Sequence, residues 1–102
     1  MAAHVKDAEV GGAIVGTVRG ETMGSGDLMV RRLAVLPDCR GTGIARGLMA
    51  ALEAAYPEAR RFELFTGAEA AAPLALYESL GYRLMKSRAT PDVPLVYLEK
   101  HR

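Results

Sequence analysis

Hydrophobic and polar positions along the chain mark eight segments, six extended and two helical. Residues 2–6 alternate weakly and read as a short strand, with 7–11 turning the chain. Residues 13–19 (AIVGTVR) are β-branched and predict a second strand, hairpin-paired to the first; Gly16 inside it marks a bulge or a close backbone approach. Three glycines across 20–26 predict a loop. The third strand spans 27–36. There Leu28, Val30 and Arg32 alternate with Met29, Arg31 and Leu33, which predicts a half-exposed start and a more buried end.

Pro37 stops that strand, because it cannot donate to a sheet ladder. From Ile44 the period becomes helical: Ile44, Leu48 and Leu52 lie at i, i+4 and i+8, with Ala45 and Met49 beside them. This predicts a helix over 42–55, halted by Pro57. Residues 61–66 (RFELFT) alternate again, with Phe62, Leu64 and Thr66 on one face and Glu63 and Phe65 on the other. A strand joined to its predecessor through a helix must lie parallel to it, by a right-handed crossover. A second helix covers 69–80, starting near Ala71 or Ala72 because Pro73 fits only a first turn, and Gly81 terminates it. Residues 82–87 and 95–99 are two last strands around a Pro91–Pro94 turn. The predicted fold is α/β: a mixed, mostly antiparallel sheet of about six strands with a central βαβ unit and two helices.

The chain has 102 residues, half of them hydrophobic and a quarter charged, the size and profile of one globular domain over 1–102. A net charge of +1 gives no reason to expect nucleic acid or a membrane surface as partner. The single cysteine, Cys39, excludes an internal disulfide and any cysteine-built metal site. No apolar run approaches the roughly 18 residues that span a bilayer, and the N-terminus lacks a secretory pattern. A cytoplasmic location is expected.

Candidate chemistry centres on the turn between third strand and first helix. Arg40-Gly41-Thr42-Gly43 brings two glycines to a helix N-terminus, whose unpaired N–H groups suit an anion. It lacks the G-x-G-x-x-G of a dinucleotide site and the Gly-Lys-Ser/Thr of a P-loop. Arg40 and Arg46 fit either charge-assisted contacts or ordinary solvated positions. Tyr77 is a helix-face aromatic that fits a core role or a catalytic one. His4 and His101 read as surface residues, and Cys39 without a neighbouring histidine is a poor nucleophile.

Two blocks of these residues resemble one family. Leu33-Ala34-Val35-Leu36-Pro37 with Arg40-Gly41-Thr42-Gly43-Ile44-Ala45 looks like the acyl-CoA signature of the GNAT N-acetyltransferases. Leu74-Ala75-Leu76-Tyr77-Glu78-Ser79-Leu80-Gly81-Tyr82 resembles the family's later block, in the family's order and at its separation. The resemblance implies an N-acetyltransferase moving an acetyl group from acetyl-CoA, as co-substrate and without a metal, to a small-molecule or peptide amine. It implies cofactor contacts from Leu33, Ala34, Val35, Arg40, Gly41, Thr42, Gly43, Ile44, Ala45 and Arg46. The pantetheine arm would pair as a pseudo-strand between two splayed strands, and an N–H near Val35 would polarise the thioester carbonyl. Tyr77 would be the general acid.

The chain departs from the family pattern in three ways. It lacks the usual N-terminal strand and helices, Met29 replaces the glutamate of the general base, and Ala70 replaces an asparagine. A homodimer is expected to cover the sheet face this leaves open. The alternative reading is a non-catalytic or weakly active acyl-CoA-binding regulatory module.

Overall fold

The structure, a computed structural model, describes residues 3–41 and 43–102, with side chains from Lys6 onward. The described residues form β1 (Ala3–Val10), β2 (Ala13–Thr22), β3 (Leu28–Val35), α1 (Ile44–Ala55), β4 (Arg61–Gly67), α2 (Ala71–Ser79), β5 (Arg83–Arg88) and β6 (Leu95–His101). A turn of 3-10 helix, Pro37–Cys39, links β3 to α1. The sheet order is β1-β2-β3-β4-β6-β5. Only β3 and β4 run parallel, joined through α1. The expected mixed sheet, two helices and central βαβ unit are therefore present.

Both helices pack on one face. Leu48, Met49 and Leu52 of α1 close over Val18, Leu28, Val30 and Phe62, while Tyr77 and Tyr82 complete the core beside Leu64 and Leu98. Each such side chain contributes about 1.5–3 kcal/mol through burial. Gly16 and Gly20 let α1 come this close: a Cβ at either would sit 3.0 Å from a leucine methyl of the helix. The C-terminal end of α1 is tied down by Arg102, which donates to the carbonyls of Glu53 (2.6 Å) and Tyr56 (2.9 Å). The Glu53 carboxylate accepts from Lys100 Nζ at 2.9 Å and from the Tyr82 hydroxyl at 3.0 Å.

Three sequence expectations need correction. β1 continues to Val10 where the pattern predicts a turn over 7–11, and Gly11 and Gly12 alone make the hairpin. Asp7 and Glu9 are the solvent side of an amphipathic strand, with Ala8 packed on the core. β2 continues to Thr22, since Gly20 serves close packing under Leu52 and the loop shortens to 23–27. In β3 the burial is reversed: Leu28 and Val30 are buried, while 31–35 are only half-buried or exposed. The reason is that β3 pairs with β4 only at Leu28–Phe62 and Met29–Glu63, after which the two strands part.

Candidate active site

Where β3 and β4 diverge, a cleft of about 230 Å³ opens through the sheet. Arg31, Arg32 and Leu33 line one wall, Leu64 and Phe65 the other, and Tyr77 closes the helix side. The β3 wall carries a bulge. Thr17 pairs with Ala34 and Arg19 with Arg31, so Arg32 and Leu33 together oppose Val18. Arg32 takes the left-handed conformation (φ +56°), which costs a non-glycine residue roughly 1–2 kcal/mol. Leu36 donates its N–H to Val15 on β2 at 2.8 Å. Alternation then turns Ala34 toward β2 as well, and turns Val35 and Leu33 to the cleft. The Arg40 Nε contact on the Val35 carbonyl, at 3.2 Å, agrees with that direction. Of the three expected backbone positions on β3, Leu33 lines the cleft, Val35 points the same way by alternation, and Ala34 is turned toward β2.

Beyond the strand end, Gly41 (φ +79°) and Gly43 (φ +85°) carry the chain into α1 through conformations that a side chain would oppose. Gly43 is the N-cap and brings no side-chain oxygen, so the N–H groups of Ile44, Ala45 and Arg46 have no helical partner. The first helical bond runs from Gly47 N–H to Gly43 O at 3.0 Å. A Cβ on Gly41 or Gly43 would meet nothing within 4 Å, so the loop surface is open to a ligand. Arg46 donates to Ser79 Oγ at 2.7 Å, and Ser79 Oγ donates to the Leu76 carbonyl at 2.6 Å, tying the start of α1 to the end of α2. Thr42 lies outside the described residues. The arrangement fits a ligand with a pyrophosphate at the helix and an extended, amide-bearing arm in the cleft.

Tyr77 is placed by the way α2 ends. Tyr82 N–H donates to the Tyr77 carbonyl (3.0 Å) and Gly81 N–H to the Glu78 carbonyl (3.1 Å), with Gly81 at φ +98°. This Schellman ending usually carries an apolar contact between the residues at its two ends. Here that contact is Tyr77 edge-on to Tyr82, with ring centroids 6.1 Å apart. The Leu-Gly-Tyr that follows Tyr77 thus has a mechanical meaning: it holds the tyrosine ring in the cleft wall. Burial raises the Tyr77 phenol above its ordinary 10.0, so the hydroxyl keeps its proton at neutral pH.

Other polar residues near the cleft come together only through sheet register. Met29 is flanked on its two neighbouring strands by Glu21 and Glu63. Glu63 is held by Arg61 at 2.9 and 3.0 Å, and Arg61 also reaches Asp27 (3.3 Å) and Glu99 (3.0 Å). Arg31 lies 3.4 Å from Glu21 and faces the Phe65 ring at 6.0 Å. Cross-strand pairing at Met29 is the signal that finds them, and it becomes readable only once the bulges are known. Among the described residues no histidine, cysteine and carboxylate group is arranged to hold a metal, and no helix is long and apolar enough to cross a membrane.

Comparisons with known proteins agree with this geometry. The model of the GNAT acetyltransferase domain matches residues 3–84. No curated protein matches the sequence. Among solved structures, a Klebsiella pneumoniae protein named as an acyl-CoA N-acyltransferase superposes with TM-score 0.87 at 28% identity, over 97% of this chain and 72% of that one. The ribosomal-protein-S18-alanine N-acetyltransferase of Escherichia coli shares the fold at TM-score 0.86 and 21% identity, over 97% and 68%. A GNAT acetyltransferase from Elizabethkingia anophelis, solved with acetyl-CoA bound, does so at 0.85 and 17%, over 98% and 76%. With the family's domain model spanning 3–84, the chain belongs to the GNAT acetyltransferase family, and its chemistry is acyl transfer.

Proposed function

We propose that this chain transfers an acetyl group from acetyl-CoA to a primary amine by direct attack, with Tyr77 as general acid. The observation that carries the reading is that Tyr77 lines the cleft between β3 and β4, and β3 leads through the glycine loop to the open N-terminus of α1. Acetyl-CoA supplies an activated thioester. The N–H groups of Ile44, Ala45 and Arg46 hold its pyrophosphate, aided by Arg46 and by Arg40, which leaves the Val35 carbonyl to do so. Leu33 and Val35 pair with the pantetheine amides. Tyr77 lies beside the bulge rather than beside Val35, so the N–H that meets the thioester carbonyl is assigned to Leu33. The amine lone pair forms the C–N bond as the C–S bond breaks. Tyr77 gives its proton to the departing thiolate, and the surplus amine proton goes to water.

A cofactor-binding test comes first. Acetyl-CoA at 100 times its dissociation constant should stabilise the fold by about 2.7 kcal/mol. For a domain of this size that is a rise on the order of 10 °C in midpoint temperature. An unchanged unfolding midpoint at millimolar acetyl-CoA would sink the assignment.

The pH dependence follows from the charges around the cleft. Glu63 is engaged by Arg61 and Glu21 faces Arg31, so neither carboxylate is assigned as a base. The attacking amine must then arrive neutral. We expect kcat/KM to climb about tenfold per pH unit up to the pKa of the amine. No falling limb should appear below pH 10, because the buried Tyr77 phenol ionises above its ordinary value of 10.0. A descending limb between pH 7 and 9 would exclude Tyr77 as the proton donor.

A further inference from the structure

The cleft passes through the sheet, and its two mouths differ. On the helix side it is closed by Tyr77. On the opposite face, which no helix covers among the described residues, the mouth is framed by Arg31 and Phe65. Arg31 is half-committed there. Its Nε lies 3.4 Å from the Glu21 carboxylate without hydrogen-bond geometry, while its side chain is 40% exposed and its two terminal nitrogens engage no carboxylate among the described residues. Its guanidinium faces the Phe65 ring at 6.0 Å, the Phe65 ring lies 5.5 Å from Tyr97, and Lys86 Nζ stands 4.9 Å over Tyr97. Two cations thus bracket a two-ring aromatic floor beside the place where the amine must attack.

From this juxtaposition we infer that the acceptor is a small amine bearing a carboxylate, of the free amino-acid type, and that Arg31 receives the carboxylate. The inference rests on the acetyl-transfer reading above and names the acceptor class for the same cleft. A guanidinium takes a carboxylate through two parallel N–H donors, and the two terminal nitrogens of Arg31, not its Glu21-facing Nε, are placed to do so. The apolar part of the acceptor would lie on Phe65 and Tyr97. Its amine would then point into the cleft toward Leu33 and Tyr77. Glu21 sets the strength of this site by competing for Arg31, and Lys86 adds a second, more distant positive charge. Specificity in this reading comes from charge at the mouth.

The test compares L-alanine, L-methionine and L-phenylalanine with their amides as acceptors, for the parent and for Arg31→Gln and Arg31→Lys. Binding of L-methionine to the CoA-saturated protein is measured by calorimetry alongside. The parent should prefer the acids, and Arg31→Gln should lower kcat/KM for them roughly 10- to 100-fold more than for the amides. Arg31→Lys should restore part of the loss, and calorimetry should show the same order. Equal use of acids and amides by the parent overturns the proposal, as does an Arg31→Gln defect of equal size on both. If acetyl-CoA raises the unfolding midpoint but no acid binds, the acceptor assignment fails and the cofactor assignment stands. If acetyl-CoA itself gives no stabilisation, the acetyl-transfer reading falls and the acceptor class falls with it.

Discussion

Tyr77→Phe is expected to slow acetyl transfer by about 10²-fold or more, with acetyl-CoA binding and thermal stability close to those of the parent. The expectation joins two properties of one residue. The ring is a structural part of the α2 ending, where it meets Tyr82 edge-on, and phenylalanine keeps that contact. The hydroxyl alone is removed, and general acid–base groups typically contribute 10²- to 10⁴-fold. A core role and a catalytic role therefore separate cleanly. Steady-state kinetics at saturating acetyl-CoA, with a thermal melt on the same sample, reads both. If the rate survives while the melt is unchanged, Tyr77 is a packing residue and the leaving thiolate takes its proton from solvent. The same result, joined to acetyl-CoA binding without transfer to any amine, would favour an acyl-CoA-binding regulatory module.

The second large effect lies outside the cleft. Gly16 sits opposite Val35 on the neighbouring strand, under the first turns of α1. A Cβ there would come 3.0 Å from Leu48 Cδ1, 3.1 Å from Ile44 Cγ2 and 3.2 Å from the Ala34 carbonyl oxygen. The leucine methyl can rotate away, but the Ala34 carbonyl is strand backbone and Ile44 is the first residue of the helix. Gly16→Val should thus destabilise the fold by roughly 1–3 kcal/mol. It should also weaken acetyl-CoA binding, because the helix it lifts carries the anion-binding N–H groups. Gly24→Ala is the matched control: nothing lies within 4 Å of a Cβ there, and the change should stay within about 0.5 kcal/mol. Chemical denaturation of both, with acetyl-CoA titrations, checks this. Equal stability of the two variants would show that the close approach of α1 is not a constraint.

The architecture was largely legible in the sequence because its punctuation is local. Pro37, Pro57 and Gly81 stop elements where they stand, and the spacing of Ile44, Leu48 and Leu52 needs no tertiary information. Glycine misled where it had two meanings. Gly20 looks like a loop residue, and its role is to admit Leu52. The burial of β3 could not be read, since the exposure of its later half depends on the strand beside it turning away. Arg32 gives no local sign of its left-handed backbone, because arginine has no preference for it. The proposed cofactor half of the site could be suggested from the sequence for the same reason as the fold: it lies on one continuous stretch, Leu33 to Arg46. The acceptor half draws Arg31, Phe65, Tyr97 and Lys86 from four strands, aligned only by a register that bulges in β3 and β5 reset.

One feature of the topology bears on how the molecule comes together. β6 is the last strand in chain order, yet it lies inside the sheet, between β4 and β5. During synthesis β1, β2, β3 and α1 can assemble from neighbouring segments as they emerge. β4 has only two residue pairs with β3, so it waits with an open edge until β6 arrives. Leu98, Lys100 and Arg102 then fix Leu64, Tyr82 and the end of α1 together. The anion-binding half can therefore form early, whereas the wall that holds Tyr77 is finished only after 95–101 has been inserted. Such non-local closure is intrinsically slow, and the waiting β4 edge is the segment most exposed to wrong pairing before it happens.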